Sequence, residues 1–247
     1  MELAIITRLA ADKVKNLILL LLLLAGLEVQ SQELFGFSLG VNLNDVASDY
    51  ANSDLEVESK FRTGFHIGLV AQFELSDEYA LQTGLLYNSK GFQSDEDNLQ
   101  NNEFDIYRLD YLELPLNLII NLSSQPLNAE KPQLFAFAGP YVALGIGGKN
   151  DYKINGRREE ISLIPKFGTV REESSIDENS IPFNALDYGI KAGVGLTIDN
   201  GTIITAGYSF GLANINNDLR GANANASIDD FKDFHRVLYF SYTVLFD

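Results

Sequence analysis

Few side chains in this sequence are equipped for chemistry. There are two histidines, His66 and His235, and no cysteine. Without thiolates there is neither a disulfide nor a Cys-ligated metal centre, and two imidazoles make a poor zinc or haem site. The reading is therefore no cofactor and no metal. Six charged residues share an alternation parity with His66, namely Arg62, Glu74, Lys90, Glu113, Asp187 and Lys191. Glu113 and Lys191 each fall near the middle of a patterned run and are candidates to pair. His66 is a candidate base for a serine hydrolase site, and His235 is read at the mouth of the last run. The acid clusters Asp95-Glu96-Asp97 and Asp229-Asp230 carry oxygen ligands of the kind Ca²⁺ takes, but lack EF-hand spacing.

The elements that must position these residues are strands. Period-2 alternation of apolar and small or polar residues recurs over 34–43, 61–75, 79–90, 112–122, 134–148, 186–198, 202–212 and 235–246. In the second run Phe65, Ile67, Leu69, Ala71 and Phe73 alternate with Gly64, His66, Gly68, Val70 and Gln72. The fifth run is ambiguous, because Val142, Leu144 and Ile146 share one parity while Phe135 and Phe137 take the other. Eight runs, an even number, let an antiparallel sheet close on itself.

Which face is inside follows from the small residues. The polar face is mostly Gly, Ser, Asn and Thr. Glycine weakens a water-facing strand but suits the narrow interior of an eight-stranded barrel. The bulky Leu, Ile, Phe and Tyr then face lipid, and the charged residues turn inward, because an outward charge at the bilayer midplane costs about 2–4 kcal/mol. The connections agree. Those after the second, fourth and sixth runs are short, ending in the hairpin signal Asp199-Asn200-Gly201. The segments 44–60, 91–107, 149–184 and 213–234 are long. The expected fold is all-β, an eight-stranded antiparallel transmembrane β-barrel with short periplasmic turns and long extracellular loops. The run beginning near Leu34 should pair with the one ending near Phe246, since open edges are not tolerated in lipid. Aromatic rings should mark the two interfaces, with Phe73, Tyr79 and Phe246 on one side and Phe61, Tyr87, Tyr188 and Phe210 on the other.

Ahead of the runs, Lys13 and Lys15 precede the apolar stretch Leu17–Leu27, and small residues follow at Val29-Gln30-Ser31. Basic, apolar and small in that order reads as a cleaved secretory signal over 1–31, leaving a barrel domain over 32–247. With 34 acids against 18 bases, the net charge of −16 excludes a phosphate-backbone binder, so no nucleic acid is expected. Most of that charge falls in the long segments. Arg157, Arg158 and Lys166 are candidates for contact with lipopolysaccharide phosphates.

These features resemble a known family. Tyr111-Leu112-Glu113-Leu114-Pro115-Leu116, Ala138-Gly139-Pro140-Tyr141, Gly64-Phe65-His66-Ile67-Gly68-Leu69 and Leu81-Gln82-Thr83-Gly84-Leu85-Leu86-Tyr87 are similar to strands of the PorT-like outer-membrane barrels of Bacteroidetes. The resemblance implies location in the outer membrane. The expected role is non-enzymatic, a filled barrel with a structural or surface-interaction role through acidic outer loops. Its expected partners are outer-membrane lipid, lipopolysaccharide, and surface or periplasmic proteins. The alternatives are a narrow or gated porin-like channel and, third, a lipid-modifying barrel hydrolase. His66 argues against the third, because it lies on the inward parity and not on the lipid face.

Overall fold

The computed structural model describes residues 33–50, 59–94, 104–123, 132–154, 157–167, 180–198, 201–217 and 230–246. The expected signal segment 1–31, the cluster Asp95-Glu96-Asp97, and Asp229 lie outside these residues. The strands in chain order are β1 (Glu33–Tyr50), β2 (Ser59–Lys60), β3 (Arg62–Glu74), β4 (Tyr79–Ser94), β5 (Phe104–Asn121), β6 (Gln133–Ile154), β7 (Arg157–Lys166), β8 (Ser180–Asn184), β9 (Leu186–Thr197), β10 (Thr202–Gly211) and β11 (Phe231–Phe246).

Eight of these form a ring. β1, β3, β4, β5, β6, β9, β10 and β11 pair antiparallel in that order. β11 returns to β1 with Phe35 opposite Phe246, so the expected closure is present. Register partners can be followed round the ring from Glu33 through Phe73, Leu81, Leu118, Ala138, Ala192, Tyr208 and Leu238. The path returns to β1 at Leu43, ten residues further along. That stagger requires steep tilt, in the roughly 35–45° range of closed barrels, and eight strands leave an interior just wide enough for side chains.

Burial is inverted relative to a water-soluble barrel. Phe37, Leu39, Val41, Ile67, Leu69, Leu114, Ile190 and Val194 are exposed on the outer wall. Ser38, Asn42, His66, Asn88, Glu113, Asn117 and Lys191 are buried inside. Tyr79 and Phe246 are exposed at the short-turn end, and Phe61, Tyr188 and Phe210 at the long-loop end. Phe73 and Tyr87, also expected at the interfaces, are half-buried.

The fifth run resolves as β6 with Phe135, Phe137 and Tyr141 buried, while Leu134, Leu144 and Ile146 are exposed. Two bulky rings can point into so narrow a lumen because the facing strands are bare there. A β-carbon on Gly193 would sit 2.7 Å from the Phe137 ring, and one on Gly195 would enter the Phe135 ring. Above this level β6 bulges at Ile146, with Asp110 opposite Gly147 but Tyr111 opposite Gly145.

The strands outrun the alternating pattern at the long-loop end. β1 continues to Tyr50, β5 begins at Phe104, β6 reaches Ile154 and β11 begins at Phe231. About ten residues cross the hydrocarbon, whereas β6 has 22. Beyond the lipid neither face is required to be apolar, so the signature fades while pairing persists. The third long connection is likewise not all loop. β7 runs back along β6, Lys149 opposite Ser162, and β8 joins β7 in parallel. Asn184 N–H donates to the Ile215 carbonyl and Ile215 N–H to that of Asp233. This rim layer brings Leu163, Phe183 and Ile215 over the lumen, against Tyr111 and Tyr141.

Gly195→Leu should force the added side chain into Phe135, an overpacking of about 1–3 kcal/mol. Urea unfolding of the barrel in lipid measures it, and a Phe135→Ala background should relieve much of the loss.

Candidate functional site in the lumen

The inward residues are layered. One apolar cluster includes Val70, Ile119, Phe135, Phe137, Ile203 and Leu245. A second includes Val46, Leu109, Tyr111, Tyr141, Leu163, Phe183 and Ile215. Along β5 the order is Tyr111, Glu113, Ile119, so Glu113 lies between the two.

Glu113 on β5 gathers charges from β4 and β9. Its Oε1 is 2.6 Å from Lys191 Nζ, and its Oε2 is 2.8 Å from Lys90 Nζ. Lys90 Nζ also reaches Asp187 Oδ2 at 2.8 Å. The Tyr141 hydroxyl donates to Asp187 at 3.3 Å. Aromatic faces complete the shell, with Lys90 Nζ 4.3 Å from the Tyr141 ring centroid and Lys191 Nζ 4.5 Å from that of Tyr239. Lys90, Glu113 and Asp187 have no exposed area. Two ammoniums facing two carboxylates leave the cluster formally neutral, which is the condition under which a dry interior tolerates charge.

A hydrogen-bond chain runs from Glu113 across the lumen, and the carboxylate sets its direction. Asn88 Nδ2 donates to Glu113 Oε2 at 2.9 Å, so Asn88 Oδ1 is left as acceptor. Asn42 Nδ2 donates to that oxygen at 2.8 Å. His66 Nδ1–H then donates to Asn42 Oδ1, 2.8 Å away. The lone pair of His66 Nε2 is left facing the Ser241 hydroxyl at 2.9 Å. Each link has one consistent donor, and each side chain stands on the inward parity of its strand.

Of the sequence candidates, Lys90, Glu113, Asp187, Lys191 and His66 converge here. Arg62 is at the margin, donating from Nη1 to the Lys90 carbonyl at 3.1 Å. Glu74 does not join them. It stands at the other end of β3, opposite Ala80, at the short-turn rim. His235 is not at an open mouth. It is fully buried with Nε2 3.4 Å from the Tyr111 hydroxyl, because β11 continues past it to Phe231 and the rim layer covers that level. Lys90 is the arm that joins the two carboxylates, as its inward parity in the third run allows. Asn42, Asn88, Tyr141 and Ser241 carried no such signal, since uncharged inward residues are common on every strand. Arg157 and Arg158 are exposed on β7, while Lys166 is half-buried at its end. Lys149, opposite Arg158's strand, pairs with Glu160 at 2.7 Å.

A cavity of about 40 Å³ lies beside the chain, lined by Ser38, His66, Asn117, Lys191, Ser241 and Thr243 among others. By that measure a water needs roughly 10–15 Å³, so the space takes about three water-sized groups. Asn117 Oδ1 is buried there without a hydrogen-bond partner among the described residues.

Glu113→Gln removes the carboxylate that two lysines share. Breaking one member of a buried pair costs about 3–5 kcal/mol. The unfolding free energy of the refolded variant, extrapolated from urea titration, should fall by that much, whereas Glu74→Gln should change it by well under half.

No curated protein matches the chain. Among solved structures it is similar to Neisserial surface protein A (NspA), at 12% identity and a TM-score of 0.40 over 86% of this chain and 97% of that one. Ail, the attachment invasion locus protein of Yersinia pestis, shares 16% identity with a TM-score of 0.37, covering 86% of this chain and 99% of that one. The outer membrane protein OprG from Pseudomonas aeruginosa shares 9% identity with a TM-score of 0.40, covering 85% and 94%. The family described as outer membrane protein beta-barrel domain matches residues 30–217, a span that takes in the ring from β1 to β10. The chain belongs to the outer membrane protein beta-barrel domain family, and its place is the outer membrane.

Proposed function

We propose that this protein is a sealed outer-membrane barrel that serves as a scaffold, holding its acidic long connections at the cell surface. The observation that carries this reading is the neutral Lys90–Glu113–Asp187–Lys191 cluster, with apolar residues filling the lumen on both sides of it. A hydrated ion would have to displace two lysine arms and then pass rings on either side. In the scaffold reading the short turns face the periplasm, and the surface work is interaction with lipopolysaccharide or with proteins.

The porin-like alternative is separated by electrical measurement. The refolded wild-type barrel in a planar lipid bilayer should give no sustained single-channel steps. Lys90→Ala/Glu113→Ala leaves the apolar layers on both sides in place and should stay closed as well, whereas adding Phe135→Ala and Phe137→Ala should give small steps. Steady conductance from the wild type would overturn the sealed reading in favour of a narrow pore.

A further inference from the structure

We propose that Ser241 is an activated nucleophile, and that Ser241, His66 and Asn42 form a hydrolytic site for esters of very short acyl groups. The residues come from three neighbouring strands of the ring: β11, β3 and β1. Ser241 Oγ is 2.9 Å from His66 Nε2, and His66 Nδ1 is 2.8 Å from Asn42 Oδ1. These are the nucleophile–base and base–orienter contacts that acyl transfer requires. The tautomer is settled by the chain itself. Asn42 gives its N–H to Asn88, and Asn88 gives its own to Glu113, so Asn42 offers His66 only an acceptor. His66 must carry its proton on Nδ1, and Nε2 is free to take the Ser241 proton.

The reacting space is the adjoining cavity of about 40 Å³, which His66, Ser241 and Lys191 all line. Its volume admits about three water-sized groups, the size of an acetyl unit. This limit sets the substrate class. Lys191 spends one of its three N–H donors on Glu113 and is the cation of the cavity wall, placed to stabilise a developing oxyanion. The unpartnered Asn117 Oδ1 offers a seat for the hydrolytic water.

The step balances without any added reagent. Ser241 Oγ bonds to the ester carbonyl carbon while its proton passes to His66 Nε2. The carbon–oxygen bond to the leaving alcohol breaks, and the alkoxide takes that proton. Water then repeats the sequence on the acyl-serine, releasing the short carboxylic acid and restoring Ser241. This goes beyond the scaffold reading, which concerns hydrated ions; the site requires in addition that a small neutral ester pass the apolar layers, and the two properties are measured separately.

The test uses methanesulfonyl fluoride, a small reagent of five heavy atoms that forms a sulfonyl–oxygen bond and releases fluoride. The refolded full-length barrel is treated and the modified serine located by peptide mass. Ser38 is an internal control, because it lines the same cavity but bonds to Thr243 at 2.9 Å and has no histidine on it. Ser241 should be modified far faster than Ser38. His66→Gln, checked for folding by its heat-dependent gel mobility, should slow the modification about 100-fold or more, the scale of general-base assistance. Ethyl acetate hydrolysis followed by NMR should be present in the wild type and lost in Ser241→Ala. Equal modification of both serines, no modification of Ser241, or a rate unchanged in folded His66→Gln each overturns the proposal.

Discussion

In hydrocarbon a strand's backbone N–H has no acceptor except another strand, and that constraint governs everything else in this molecule. It requires the last strand to return to the first, as Phe246 does opposite Phe35. With eight strands and a stagger of ten residues from Glu33 to Leu43, closure leaves an interior that side chains fill. The glycines of β9 and β10 follow from that width. Gly193 and Gly195 are bare because Phe137 and Phe135 occupy the space that their side chains would take. The same closure puts the large aliphatic residues outside, where lipid replaces the core that a soluble protein would need.

Charge then has one direction to go. Lys90, Glu113, Asp187 and Lys191 all turn inward, away from bulk water, and the desolvation of each is offset only by its partners. Glu113 holds the arrangement together, since it accepts from Lys90, Lys191 and Asn88 at once. A carboxylate has no hydrogen to give, so it fixes the orientation of every amide behind it. The polarity of the chain from Ser241 to Asn88 is a consequence of one ionised group some distance from the serine.

Much of this was legible in the sequence. Alternation marked eight strands, and strand parity put Glu113 and Lys191 on the face that proves to be the lumen. The sequence was silent where the physical requirement lapses. Above the lipid, β5 from Phe104 and β6 to Ile154 keep pairing after the apolar face has ended, so the pattern stops before the strand does. β7 and β8 lie in a segment whose pattern, for the same reason, carries no strand signature. Phe135 and Phe137 confused the fifth run because apolar residues fill part of the lumen as well as coating the wall, and only the glycines of β9 and β10, distant in sequence, reveal which rings go in. His235 was misplaced because its cover comes from residues near 215, whose approach depends on the rim pairing.

Stability alone does not explain the polar middle of the lumen. The layers on either side are filled with valine, isoleucine and phenylalanine, so this interior can be sealed with apolar residues. Replacing a buried ion network by well-packed hydrophobic residues is often neutral, or stabilising by about 1–4 kcal/mol. Sealing therefore needs neither the charges nor the histidine. What apolar residues could not supply is a lone pair on His66 Nε2 aimed at the Ser241 hydroxyl, held there by a chain that ends on Glu113. Nor could they supply a polar cavity beside that serine with an ammonium in its wall. The features that stability does not demand are the ones that acyl transfer does.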